Sequence, residues 1–266
     1  MNIIVCVKQV TDPEAPPSSF KIDPSGHKVV PSAGVPAVID PYSEYAVEAA
    51  LKIKDALGGE VTTISLGVNL IADIVKKPLA MGTDRLVLLE DEAFADGDSY
   101  ATADALAAAI KQIGDYDLIL CGREAADTNA GQVGSGIAEM LGLPSITLAK
   151  KIDISRDKAK VERVTDDGYE VIEVALPALL TVSNEIGEPR YPTIKRSLAA
   201  KKIEPTIWKP ADIGLAPAQV GTAGRRTEIS RLFQTVRGVK CEMMEGESAE
   251  EAGVNLALRL REAKLI

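Results

Sequence analysis

One stretch constrains the fold more than any other: residues 117–147, DLILCGREAADTNAGQVGSGIAEMLGLPSIT. Leu118-Ile119-Leu120-Cys121 is a short apolar run of the kind that forms a buried parallel strand. It stops at Gly122, and the loop beyond it, with Arg123, Glu124, Ala125, Asp127, Thr128 and Asn129, holds no large apolar side chain. Gly131, Gly134 and Gly136 then flank Gln132 and Val133, and a helical pattern begins with Ile137, Met140 and Leu141. Strand, polar glycine-bearing loop and helix start are how an open α/β sheet offers backbone N–H groups to a phosphate. The unpaired N–H groups and the dipole of the first helical turn supply the attraction. Neither G-x-G-x-x-G nor G-x-x-x-x-G-K-[ST] occurs here. Two readings therefore stay open: a nucleotide-phosphate site, or a loop that merely turns the chain.

The segments before this stretch supply a sheet for it. Residues 2–10, 61–66, 84–89 and 145–149 read as further strands, and residues 40–57, 70–81, 99–113 and 132–141 as helices. Asp40 is placed to cap the first helix, with Pro41 at its first position. Pro78 predicts a kink or break within 70–81. Such alternation implies an α/β fold with a doubly wound, mostly parallel sheet and helices on both faces. Right-handed crossovers gather the strand exits at 6–8, 65–67 and 122–127 around one crevice, where such sheets bind ligands. The geometry favours the nucleotide reading.

After residue 150 the pattern changes. Residues 151–164 and 169–174 read as a small antiparallel addition about the turn Asp166-Asp167-Gly168, and 177–183 as one more strand. Residues 195–202 form a short basic helix, either a solvated face or a contact for an acidic partner. Residues 203–246 show little periodicity, which suits an arm packed on another chain. Ser248-Ala249-Glu250-Glu251 is a capping box that opens a last helix. The expected division is an α/β domain over 1–221 and a docking arm with its helix over 222–266.

Composition excludes several classes. An apolar content of 46% with only 4% aromatics builds a core from Ala, Val, Ile and Leu, and a net charge of −9 argues against nucleic acid. No run is long enough to span a membrane, and the start MNIIVCVKQV is a strand rather than a signal peptide, so a cytoplasmic protein is expected. Cys6, Cys121 and Cys241 have no metal-ligand spacing and are too few for a disulfide framework; free thiols and no metal are expected. The single histidine, His27, sits at a turn signal and has no evident nucleophile partner.

Five segments in order, VCVKQV, IDPYSEYAVEAAL, LAMGTDRLVLL, the 121–147 stretch and VERVTDDGYEVIEVALPALLTVSNEIGEPRYPTIKRSLAAKK, make the chain resemble the β subunit of electron transfer flavoprotein, FixA-type members included. The resemblance implies an adenine-nucleotide α-hydrolase-like sheet and a heterodimer with an α subunit that carries most of the main FAD. It implies an electron carrier serving acyl-CoA dehydrogenase-type or quinone-reductase partners, not an enzyme with its own bond-making chemistry. Some members hold a second flavin in β and bifurcate electrons from NADH. Carried over motif by motif, the nucleotide of this chain would meet Cys6; Asp40, Pro41, Tyr42 and Ser43; Leu66; and Gly122, Arg123, Glu124, Ala125, Asp127, Thr128, Asn129, Gly131, Gln132, Val133 and Gly134. Many respiratory members, which hold AMP, have Asn-Gln-Thr-Gly where Gly131-Gln132-Val133-Gly134 stands. With the Thr hydroxyl lost at Val133, FAD is expected here rather than AMP. The segment VSNEIGEPRY resembles the loop that docks on dehydrogenases, with Ile186 as an exposed apolar anchor and Glu188 and Arg190 beside it. The alternative, a stand-alone nucleotide-binding stress-type protein, leaves the arm and this loop unexplained.

Overall fold

The computed structural model describes residues 1–234, 238 and 241–266. The chain opens with β1 (Asn2–Val7), then the short strands β2 (Gln9–Thr11), β3 (Phe20–Ile22), β4 (Val29–Pro31) and β5 (Ala37–Ile39). Helix α1 (Pro41–Leu57) leads to β6 (Glu60–Gly67), the broken pair α2 (Ala72–Val75) and α3 (Lys77–Met81), and β7 (Arg85–Glu90). Next come α4 (Ser99–Ile113), β8 (Leu118–Gly122) and α5 (Val133–Leu141). A β-rich run follows: β9 (Ser145–Ser155), β10 (Lys158–Thr165), β11 (Gly168–Ala175) and β12 (Ala178–Val182). Then stand α6 (Ile194–Lys201), β13 (Thr206–Trp208), α7 (Gly221–Gly224) and α8 (Ala249–Glu262).

Nine strands form one sheet in the order β11-β10-β9-β12-β8-β1-β6-β7-β13. From β9 to β13 every neighbouring pair is parallel, and β10 and β11 add an antiparallel hairpin at one edge. Alternation along β1 sorts the core into two layers, as the period of a strand requires. Ile3, Val5 and Val7 meet Val47, Ala50 and Leu51 of α1, while Ile4 and Cys6 meet Ala103 and Ile110 of α4 and Ile137 of α5. Both faces are thus covered, which is why the central strands read as continuous apolar runs.

Three local expectations change. The helix expected over 70–81 breaks at Lys76, and Pro78 falls in the first turn of α3, where its missing N–H costs nothing. The single strand expected over 151–164 is two: β9 continues to Ser155, and the chain turns at Arg156, which has φ +52°. Residues 203–221, aperiodic in sequence, pack within the α/β unit, as the expected 1–221 boundary requires, and Thr206–Trp208 add a strand the pattern did not show. β13 pairs with β7, and Ile213 and Val220 join the α4–α5 core layer, too few apolar positions to show periodicity.

The chain divides into two compact units, Met1–Ser230 and Arg231–Ile266. In the second, Ser248 Oγ accepts the Glu251 N–H at 3.2 Å, but the Glu251 carboxylate accepts from Glu247 N rather than from Ser248 N, so the box closes one residue early. Helix α8 buries none of its residues. Residues 235–237 and 239–240 of the expected arm lie outside the described residues. No described helix is long and apolar enough to cross a membrane.

Candidate functional site

Because β1 lies between β8 and β6, the carboxyl ends of these three strands open side by side. The residues beyond them are tied together. Lys8 Nζ meets Asp127 at 2.7 Å, and the Gln9 side chain accepts from Ile71 N at 2.8 Å. The three strand exits expected around one crevice are therefore neighbours, at residues 6–8, 66–71 and 122–132.

Asp40 is its keystone. It is only 1% exposed. Its Oδ2 accepts the Ser43 N–H at 2.9 Å and the Ser43 hydroxyl at 3.1 Å, capping α1, while Oδ1 accepts Ala126 N–H at 2.8 Å. The Asp40 N–H donates to the Lys8 carbonyl at 2.8 Å, and Ser43 Oγ accepts Lys8 N–H at 3.2 Å. The carboxylate so joins α1 to the polar loop, and the Asp40 N–H and the Ser43 hydroxyl tie both to the residue after β1. Burial pushes the Asp40 carboxyl up, and the N–H groups of Ala126 and Ser43 pull against it. Pro41 starts the helix. Tyr42 lies against Gly122, where an added Cβ would come within 2.7 Å of its backbone and side chain, and its ring stands 5.3 Å from the Arg123 guanidinium.

The loop itself is held by short turns: Thr128 N–H and Asn129 N–H both reach the Ala125 carbonyl, at 3.1 and 2.8 Å. Arg123 pairs with Glu124 at 2.9 Å. Asp127, Thr128, Asn129, Gly131 and Gln132 are exposed. Asn129 and Gly131 adopt positive φ, at +49° and +62°. Helix α5 then begins at Val133 with no side chain capping it. By contrast Asp40, Asp98, Thr193 and Ser248 cap α1, α4, α6 and α8. Its first-turn N–H groups receive no side-chain oxygen, which is also so in the short helices α2, α3 and α7.

The glycines divide by role. An added Cβ at Gly134 would lie 2.6 Å from Thr181 Cγ2, and one at Gly136 2.9 Å from Ala103 Cβ. These two let α5 pack onto β12 and α4; their side-chain positions face the core rather than the crevice. Val133 packs partly buried against the same core layer. Cys6 is buried in that layer, in register with Cys121, and the thiol–thiol hydrogen bond followed by burial pushes its thiol well up. Both cysteines are free, as is Cys241. Leu66 is half-buried at the end of β6. Lys8 and Ala126 fall within the strand exits expected at 6–8 and 122–127, but the sequence assigned neither a contact. Lys8 was legible as the first charged residue past β1; Ala126 acts through its N–H and has no side-chain signal.

The second group, Ile186, Glu188 and Arg190, lies along α1. Glu188 is exposed, but Ile186 is half-buried against the α1 core layer, correcting the expected exposure. Arg190 is bound within the chain, to Glu48 and Asp55.

An open, doubly wound α/β sheet with a crevice at its strand ends and a polar loop feeding an uncapped helix defines a ligand-binding class of fold. The particular family follows from comparison. Residues 28–213 match the electron transfer flavoprotein domain. The chain is 40% identical to the caffeyl-CoA reductase-Etf complex subunit CarD of Acetobacterium woodii, and 40% identical to the electron transfer flavoprotein subunit beta of Thermoanaerobacterium thermosaccharolyticum, over the full length of each pair. It is 35% identical to protein FixA of Azorhizobium caulinodans, over 97% of this chain and 93% of that one. The chain belongs to the electron transfer flavoprotein family, in its β-subunit branch. The matches run through both the 183–190 segment and the C-terminal region, which the stand-alone alternative leaves without a role.

Proposed function

We propose that this chain is the β subunit of a cytoplasmic heterodimeric electron carrier, that its crevice holds a second FAD rather than AMP, and that the 183–190 segment meets acyl-CoA dehydrogenase-type or quinone-reducing partners. The observation that carries the nucleotide part is the uncapped start of α5, at the end of a loop that Asp40 pins to α1. A bound FAD would supply the electron-carrying chemistry.

The residues present fit such a group. Backbone N–H groups at Val133, Gly134 and Ser135 form the first turn of α5 and suit an anion. The Val133 side chain rests on the core layer and offers no hydroxyl. AMP ends in a single phosphate that benefits from a terminal side-chain donor. A pyrophosphate continues outward and is served by backbone donors in a row. The exposed side chains of Asp127, Thr128, Asn129 and Gln132 line the way out and can meet hydroxyl groups. Arg123 and Tyr42 form a wall on the α1 side. Similarity over the full length to a subunit named for a caffeyl-CoA reductase–Etf complex supports the dehydrogenase-type partner. A bifurcating carrier, oxidising NADH, is the form of this reading that a second FAD supports.

The test is acid extraction of the purified heterodimer, with flavin and AMP counted per α/β pair. Two flavins and no AMP are expected. One flavin with one AMP would show the site to be of the other kind.

A further inference from the structure

Helix α1 carries a stripe of three charged residues, Glu48, Lys52 and Asp55, spaced four and three apart and so on one side of the helix. All three reach the segment 184–190. Glu48 is only 4% exposed. Its Oε2 accepts from Arg190 Nε at 2.8 Å and from the Arg190 backbone N–H at 3.0 Å, and its Oε1 accepts from Arg190 Nη2 at 3.1 Å. The same Nη2 donates to Asp55 at 2.8 Å. Hydrogen bonding to Glu48 holds the guanidinium firmly protonated. One turn along, Lys52 Nζ donates to the Ile186 carbonyl at 3.0 Å. The segment is thus gripped at both ends of Gly187-Glu188-Pro189. At the first of these grips Ile186 borders a pocket of ≈410 Å³ whose other walls include Ala49, Ile53, Ile152 and Ile154.

We propose that Glu48, Arg190 and Lys52 are positioning residues for partner docking: they strap the 184–190 segment to α1 and preset Ile186, and Arg190 itself touches no partner. This rests on the reading of the segment as the docking loop. A guanidinium that shares Nε and Nη2 with two carboxylates of its own chain is committed inward, in the fork geometry that a lysine cannot reproduce. A loop ordered before encounter loses less entropy on binding, so the strap acts on affinity rather than on the electron step. The helix also fixes a distance. Asp40 holds the crevice loop at the start of α1, and Glu48 stands eight residues on, about 12 Å along the axis. A partner docked on the strapped segment is therefore held at a set distance from the nucleotide crevice by one rigid element.

The experiment uses the heterodimer with its α chain, and an acyl-CoA dehydrogenase reduced by its acyl-CoA as electron donor. Flavin content is measured for every variant. Ile186→Ala tests the docking reading itself. Glu48→Gln, Arg190→Gln and the double variant test the strap. Each single variant should raise KM for the dehydrogenase about tenfold, with kcat little changed and with faster hydrogen exchange across residues 184–190. The double variant should be no worse than either single, within about twofold, because both remove one interaction. If Arg190→Gln weakens docking but Glu48→Gln does not, or if the two effects multiply, Arg190 is a direct partner contact and the strap is wrong while the docking reading stands. If Ile186→Ala leaves KM unchanged, the docking reading falls and the proposal with it. Should Glu48→Gln fail to fold, Arg190→Lys decides. It keeps the charge but loses the fork, so an intermediate rise in KM supports the strap and an unchanged KM overturns it.

Discussion

Helices α1 and α5 both begin at the same crevice, and their first turns are treated in opposite ways. At α1 the Asp40 carboxylate caps the helix through Ser43 N–H and uses its other oxygen to hold the neighbouring loop. At α5 the cap position is Gln132, whose side chain accepts nothing from the turn. Helix ends in the same molecule normally resolve their unpaired N–H groups with a nearby oxygen, and four of the longer helices here do. The difference teaches a division of labour: one end is closed by a carboxylate that also holds the neighbouring loop, and the other is left without a side-chain cap, which is what the proposed phosphate contact requires.

The largest effect is expected from breaking the closed end. Asp40→Ala removes a cap and leaves the Ala126 N–H without its acceptor, a loss of about 3 kcal/mol of folding stability when the two costs are taken together. Urea denaturation of the heterodimer should show it, with nucleotide content falling alongside. Nucleotide retained in full would mean that α1 shapes the fold without shaping the crevice. Next comes the packing beneath the open end. Gly134→Ala drives a methyl to within 2.6 Å of Thr181 Cγ2 and should cost about 2 kcal/mol. Thr181→Ser in the same background removes that carbon and keeps the hydroxyl that accepts Leu148 N–H. It should restore most of the loss; failure to rescue would place the strain elsewhere than at this contact.

These two residues also show where sequence was enough and where it was not. Asp40 followed by Pro41 was legible as a helix start because capping is local chemistry, and the gathering of three strand exits followed from the alternation of strands and helices. The second task of Asp40, at Ala126, spans 86 positions in sequence and leaves no pattern. The glycines of the loop were legible as backbone permissiveness, but sequence could not say that Gly134 and Gly136 face Thr181 and Ala103 instead of a ligand. Arg190 reads as an exposed docking charge until Glu48, equally silent in a helical run, is seen beneath it. Long-range pairings were missed for one reason: each needs the register of two elements, and a single sequence supplies only one.

A smaller and opposite effect should come from closing the open end. Gln132→Asp gives α5 the acceptor that α1 already has, so the chain without nucleotide should gain about 1 kcal/mol. The same carboxylate stands where an anion would sit, so nucleotide should be lost from the purified heterodimer. Differential scanning calorimetry and acid extraction on the same sample read both. A stabilised protein that still holds its nucleotide would show that the first turn of α5 is not the phosphate contact.

The smallest effect belongs to Asp127, and it sharpens the comparison most finely. The polar loop has two ties, the buried one through Asp40 and an exposed one in which Asp127 meets Lys8, with side chains 37% and 42% accessible. Exposed pairs contribute little, because water and salt screen the attraction and two mobile side chains must be fixed to make it. Asp127→Asn should therefore change folding stability by less than about 0.5 kcal/mol. If the loop needs only Asp40 to hold its shape, nucleotide content in Asp127→Asn stays at the level of the unaltered heterodimer. If nucleotide is lost while stability is kept, the Asp127 carboxylate meets a hydroxyl of the ligand itself. In that case Asp127 moves from the scaffold to the binding surface, and Lys8, its partner, becomes the next residue to test.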